Sequence, residues 1–148
     1  MSFYSILVHI HSGFRWLVLV FILVSVFQAV RNLNGSHQHN IKEKIYPKFS
    51  MIFSHIQLLI GLVLYFISPK VVFSSSSMKD SLLRFFLVEH ILLMIIALIL
   101  ITIGYIKHKK AADFAKKQKT LIIYYAVALL IILLAIPWPF RELGAGWF

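Results

Sequence analysis

Seven polar or ionisable side chains interrupt otherwise apolar stretches of this chain: His9, His11, Arg15, His55, Gln57, Glu89 and His90. A neutral imidazole ligates a metal through one ring nitrogen or relays protons near neutral pH. A guanidinium in the same setting calls for an anion or several acceptor oxygens. Other chemistry is poorly supported. There is no cysteine, which removes disulfides, thiolate metal sites, iron–sulfur clusters and covalently attached c-type haem. Of the five carboxylates only Glu89 falls in an apolar run, so hydrolysis by paired acids has no basis. No nucleophile elbow, Walker A loop, H-E-x-x-H or G-x-G-x-x-G occurs. The chemistry left is what histidines do when surrounded by hydrocarbon.

The elements carrying these residues must be membrane helices. The chain is 60% hydrophobic with a mean hydropathy of +0.87, whereas soluble domains hold about 45–50% apolar residues. Four windows reach the roughly 20 apolar residues that a bilayer core requires: about 3–30, 49–68, 83–105 and 121–137. The first window is too long for a signal peptide and has no basic leader or Ala-x-Ala site, so it reads as a retained helix. Modest connections between spans predict one all-α domain, residues 1–148, folded as an up-down integral membrane four-helix bundle.

The net charge of +10 does not describe a nucleic-acid surface, because the basic residues sit between apolar runs. Arg31, Lys42, Lys44 and Lys48 follow the first helix, and Lys107, Lys109, Lys110, Lys116, Lys117 and Lys119 follow the third. These ten outnumber Lys70, Lys79, Arg84 and Arg141 on the opposite side. The positive-inside rule therefore predicts cytoplasmic basic loops and both termini outside. Trp138, Trp147, Phe140 and Phe148 then read as an interfacial aromatic belt. Pro137 and Pro139 stop the fourth helix. Asn34-Gly35 is a turn signal.

Depth can be counted along these helices. With cores at residues 8–27, 49–68 and 86–105, His11 lies about 5 Å and His90 about 6 Å below the outer edge, at about 1.5 Å per residue. Arg15 lies about 10 Å and His55 about 20 Å deep on the same count. The first and third helices of an up-down bundle are diagonal partners. Two imidazoles at one level on diagonal helices are what an axial bis-histidine haem needs. The faces agree: His11, Arg15, Val18, Ile22 and Ser25 form one stripe, and His90, Met94, Ala97, Ile101 and Gly104 another. Ser50, Ser54, Gln57, Gly61 and Tyr65 share a face of the second helix.

Alternatives stay open at this level. His9 is about 160° around the helix from His11 and replaces it as ligand if the register differs. His55 is turned about 100° from Ser54; it serves a second cofactor, a proton relay or a hydrogen bond to a neighbouring group. Arg15, Arg84 and Arg141, with Gln57 and Met94, are candidates to contact the cofactor, the arginines through its propionates. Snorkelling or phospholipid contact explains Arg84 and Arg141 equally well, and Glu89 offers a partner to Arg15 or Arg84. His37, His39 and His108 read as solvated loop residues.

Four segments taken together carry a likeness: His9-Ile10-His11-Ser12-Gly13-Phe14-Arg15-Trp16, Ser54-His55-Ile56-Gln57-Leu58-Leu59-Ile60-Gly61, Arg84-Phe85-Phe86 through Val88-Glu89-His90, and Ile136-Pro137-Trp138-Pro139-Phe140-Arg141. Over nearly its whole length the chain resembles the short four-helix cytochrome b-like membrane proteins of Bacteroidota. That resemblance implies b-type haem and membrane electron transfer. A looser likeness links it to one half of haem A synthase, but the His–Arg spacing differs and the fourth helix has no His, which argues against synthase chemistry. The expectation is a non-catalytic protein holding one haem b, or two if His55 ligates a second. Its partners are then the lipid bilayer, quinol or a periplasmic electron carrier, and a larger respiratory complex or a second copy. The competing readings are a cofactor-free accessory subunit, a proton conductor using His55, Arg15 and Glu89, and an enzyme acting on haem or quinone.

Overall fold

A computed structural model describes residues 2–34, 42–143, 146 and 147. Among them there are helices and connections but no strand. Helix α1 spans Phe3–Asn34 and α2 spans Lys42–Ile67. A short 3₁₀ turn, Ser75–Met78, leads to α3, Ser81–Arg84. A π-helical turn, Phe85–Glu89, joins α3 to α4, His90–Lys110, so that these three pieces form one continuous third span. Helix α5 covers Phe114–Ala135. A 3₁₀ turn, Pro139–Arg141, follows it.

All four spans are long and apolar enough to cross a membrane. Their outward faces carry the large hydrophobic groups that a soluble protein would bury, with Phe66 75%, Phe27 64% and Leu130 61% exposed. Apolar surface on this scale needs a bilayer to cover it. The chain is therefore a multi-pass membrane protein.

The helices run past the windows read from hydropathy. Helix α2 starts before residue 49 and includes Pro47. Helix α5 starts at Phe114 rather than near 121, because Asp113 caps it by accepting from the Lys116 amide at 2.6 Å. The added turns are rich in lysine, whose long stems let a helix continue beyond hydrocarbon. Helix α5 ends at Ala135, two residues before the expected Pro137. The proline forces Ile136 out of the helical region, to φ −68°, ψ 131°.

Around the bundle, α1 packs on α2 and α5, and the third span packs on the same two. Helix α1 and the third span are thus diagonal, as the up-down topology requires. Val18, Leu19, Ile22, Ala97, Ile101, Leu121, Tyr125, Ala128 and Ile132 fill the centre. Each stripe read at about 100° per residue turns inward, Ser25 and Gly104 included. His108 departs from expectation. It is buried in the last turn of α4 with its Nδ1 3.2 Å from the Lys117 carbonyl, tying α4 to α5 across a short connection. His37, His39, Gly35 and Phe148 lie outside the described residues.

Candidate functional site

The core does not fill the whole bundle. Toward the end where Tyr4, Ser68 and Pro137 lie, the four spans enclose a cavity of about 240 Å³. Its deeper walls are apolar, with Val18, Leu58, Met94, Ala97, Leu98 and Ile101. Polar groups from three spans gather above them: His11, Arg15, Gln57 and His90.

His11 and His90 face each other across the cavity with ring centroids 6.5 Å apart and planes inclined by 71°. A ligating imidazole nitrogen sits about 2 Å from a first-row metal, so two rings sharing one ion have centroids roughly 6 Å apart. The observed spacing suits a shared ion. His90 is held by its other nitrogen: Nδ1 donates to the Ala135 carbonyl at 2.8 Å. That carbonyl belongs to the last turn of α5, where no helical N–H remains to satisfy it. One bond therefore caps α5, fixes the imidazole tautomer and leaves Nε2 with its lone pair, the usual support of a metal-bound histidine.

The His11 ring is placed by space. It lies over Gly61, where a Cβ would come within 3.0 Å of His11 Cε1. Gln57 Nε2 donates to the His11 carbonyl at 2.8 Å and locks α1 to α2 at that level. Three buried polar atoms in the cavity have no hydrogen-bond partner among the described residues: His11 Nδ1, Arg15 Nε and Gln57 Oε1. Each such group costs about 1–3 kcal/mol when left unsatisfied. All three belong to residues that line this one cavity, where an added group could satisfy them.

The π-helical turn aims His90. In an ordinary α-helix, residues five apart lie about 140° around the axis. The widened turn brings Phe85 and His90 to one side, their rings 5.8 Å apart, with the His90 amide bonded to the Phe85 carbonyl. It also brings Arg84 Nε to 2.8 Å from Glu89 Oε1. Tyr65 braces the turn from α2, donating to the Leu87 carbonyl at 2.9 Å. Such turns occur often at functional sites.

Arg15, 8% exposed, solves its burial with backbone oxygens and aromatic faces. Its Nη2 donates to the carbonyls of Gly146 and Trp147 at 3.1 and 2.7 Å. The guanidinium lies 5.6 Å from the Trp16 ring centre and 5.8 Å from that of Trp138. Desolvated cation–π contacts are worth about 2 kcal/mol each. Trp16 Nε1 also donates to the Trp147 carbonyl, at 3.2 Å. Trp138 and Trp147 thus form a cage around Arg15 with Trp16, beyond the belt read from composition.

The other candidates stand outside the cavity lining. His9 and His55 are exposed on outward faces, and His55 Nδ1 binds the Met51 carbonyl of its own helix at 2.8 Å. Arg84 is paired with Glu89. Arg141 donates to the Leu134 and Ile136 carbonyls at 2.8 and 3.2 Å and stacks on Phe85. Lys70, which the sequence did not single out, lines the cavity instead, its Nζ 5.0 Å from the centre of the Phe86 ring. Nothing in its local pattern marks it, because it lies in irregular chain after α2.

No family model, curated protein or solved structure matches this chain. What the site can do must be read from its own residues. Among the described residues no cluster of three or more His, Cys, Asp or Glu could hold a metal ion. A structural zinc site takes four protein ligands. Two opposed imidazoles suit an iron that brings its equatorial donors with it, as haem does.

Proposed function

We propose that this protein is a b-type haem-binding component of membrane electron transfer, in which His11 and His90 would hold the iron. The observation that carries the proposal is the facing pair of imidazoles, 6.5 Å apart, in a cavity with apolar walls. Support comes from the Ala135 bond that leaves His90 Nε2 available, and from Gly61, which makes room for the His11 ring. When bound, haem supplies a one-electron redox centre, and the protein tunes it through ligands, hydrogen bonds and burial. Here His90 gains basicity from the Ala135 carbonyl, Met94 and Leu98 exclude water, and Arg15 places positive charge beside the site.

The loops holding ten of the fifteen Lys and Arg would lie in the cytoplasm under the positive-inside rule. The cavity then faces the outer leaflet of a bacterial inner membrane, within reach of quinol or a periplasmic carrier.

The test is a reduced-minus-oxidised optical spectrum of protein purified from cells with ample haem. The wild-type chain is expected to give sharp haem b bands, and His90→Ala to lose them. A flat wild-type spectrum, or one unchanged in His90→Ala, overturns the proposal.

A further inference from the structure

The end of the bundle away from the cavity carries most of its charge. Between Ile106 and Leu121 the chain holds six lysines against one carboxylate, Asp113. Asp113 is engaged as the cap of α5, accepting from the Lys116 amide. Lys107 is held in place across the seam between α4 and α5. Its Nζ donates to the Tyr124 hydroxyl at 2.7 Å and lies 5.0 Å from the centre of that ring. Lys109, Lys110, Lys116 and Lys119 are exposed.

Depth and direction both bear on what these amines meet. Apolar sequence in the third span stops at Ile106, and that of the fourth starts at Leu121. At about 1.5 Å per residue, Lys110 lies roughly 6 Å beyond the one and Lys116 roughly 8 Å before the other. The headgroup layer of a bilayer is about 5–8 Å thick on each side of the hydrocarbon. The lysines therefore stand at the level of lipid phosphates. They also stand over lipid-facing side chains. Lys110 continues the face of α4 that exposes Ile103 and Ile106, and Lys116 and Lys119 share a face of α5 with Ile123, which is 61% exposed. A phospholipid with its acyl chains along those isoleucines would bring its phosphate to the amines. We propose that this end of α4 and α5 is a binding surface for anionic phospholipid headgroups, contacted by Lys107, Lys110, Lys116 and Lys119. It acts whether or not the cavity holds haem.

The full-length protein is reconstituted in bilayers of equal parts phosphatidylcholine and phosphatidylglycerol and extracted in mild detergent. Its retained lipid is then quantified by mass spectrometry. The wild type is expected to keep phosphatidylglycerol over phosphatidylcholine by about fivefold, the selectivity of one well-placed lysine at an anionic surface. Lys110→Gln/Lys119→Gln is expected to cut the ratio to about twofold or less, and Lys110→Arg/Lys119→Arg to preserve it. Lys70→Gln/Lys79→Gln removes the same charge from the opposite end and is expected to leave the wild-type ratio. Four outcomes overturn the proposal: no enrichment in the wild type, full enrichment in Lys110→Gln/Lys119→Gln, its loss in the arginine variant, or an equal loss in both glutamine variants. The last would mean that the ratio follows net charge alone. Inorganic phosphate, added at constant ionic strength, is expected to change nothing. Displacement of the lipid by it would assign the lysines to free phosphate and sink the lipid surface.

Discussion

The two halves of this bundle are built to different standards. Toward the basic loops the spans interlock. Tyr125 is fully buried and donates to the Pro47 carbonyl at 2.8 Å, and Ser25 and Ser50 share a hydroxyl contact of 3.0 Å while donating to Phe21 and Tyr46 carbonyls of their own helices. There α4 and α5 approach so closely that a Cβ on Gly104 would fall 2.5 Å from Tyr124 Cβ. In the other half a cavity opens and the third span gives up regular winding. Close packing supplies stability, so the loose half is free to be shaped around something else.

Substitutions at matched positions sharpen that contrast. Gly104→Ala should have the largest effect on stability. The new methyl meets a Tyr124 Cβ that cannot rotate away, and overpacking of this kind costs about 1–3 kcal/mol. An SDS titration in mixed micelles should show earlier unfolding; an unchanged midpoint would mean that the α4–α5 contact is looser than described. Gly61→Ala makes the complementary break. Its Cβ presses on the His11 ring at 3.0 Å, so haem affinity should fall about tenfold, or 1.4 kcal/mol, with little change in unfolding. Equal losses of affinity and stability would erase the distinction between the halves.

Tyr125→Phe removes one buried hydroxyl from the packed half. A loss of about 0.5–1.5 kcal/mol is expected in the same unfolding assay, with the haem spectrum unaltered. The smallest effect belongs to His9→Ala and His55→Ala, whose rings point outward. Band positions and haem occupancy should match the wild type. A lost band in either variant would move the axial ligand away from His11 or His90.

Much of this arrangement was legible in the chain. Stripes repeating at about 100° per residue identified the inward faces, because small and polar side chains gather on the side of a span turned away from lipid. Counting depth from both membrane edges put His11 and His90 at one level, since helical rise is constant in ordinary winding. Of the two partners open to Glu89, Arg84 is the one it meets. The π-helical turn that brings them together was not legible, because such a turn has no compositional signature. The contact between Arg15 and the backbone of Gly146 and Trp147 was also hidden, because irregular chain has no period to read. The same holds for Lys70.

The widened turn has one more consequence. It works as a spacer that indexes the third span in two independent pieces. Removing one residue from 85–89 would restore common winding and swing the preceding segment by about 100°. The imidazole below, fastened to Ala135 by its own bond, need not follow. The rim of the cavity and its socket can therefore be retuned separately, the rim by length and the socket by side chain.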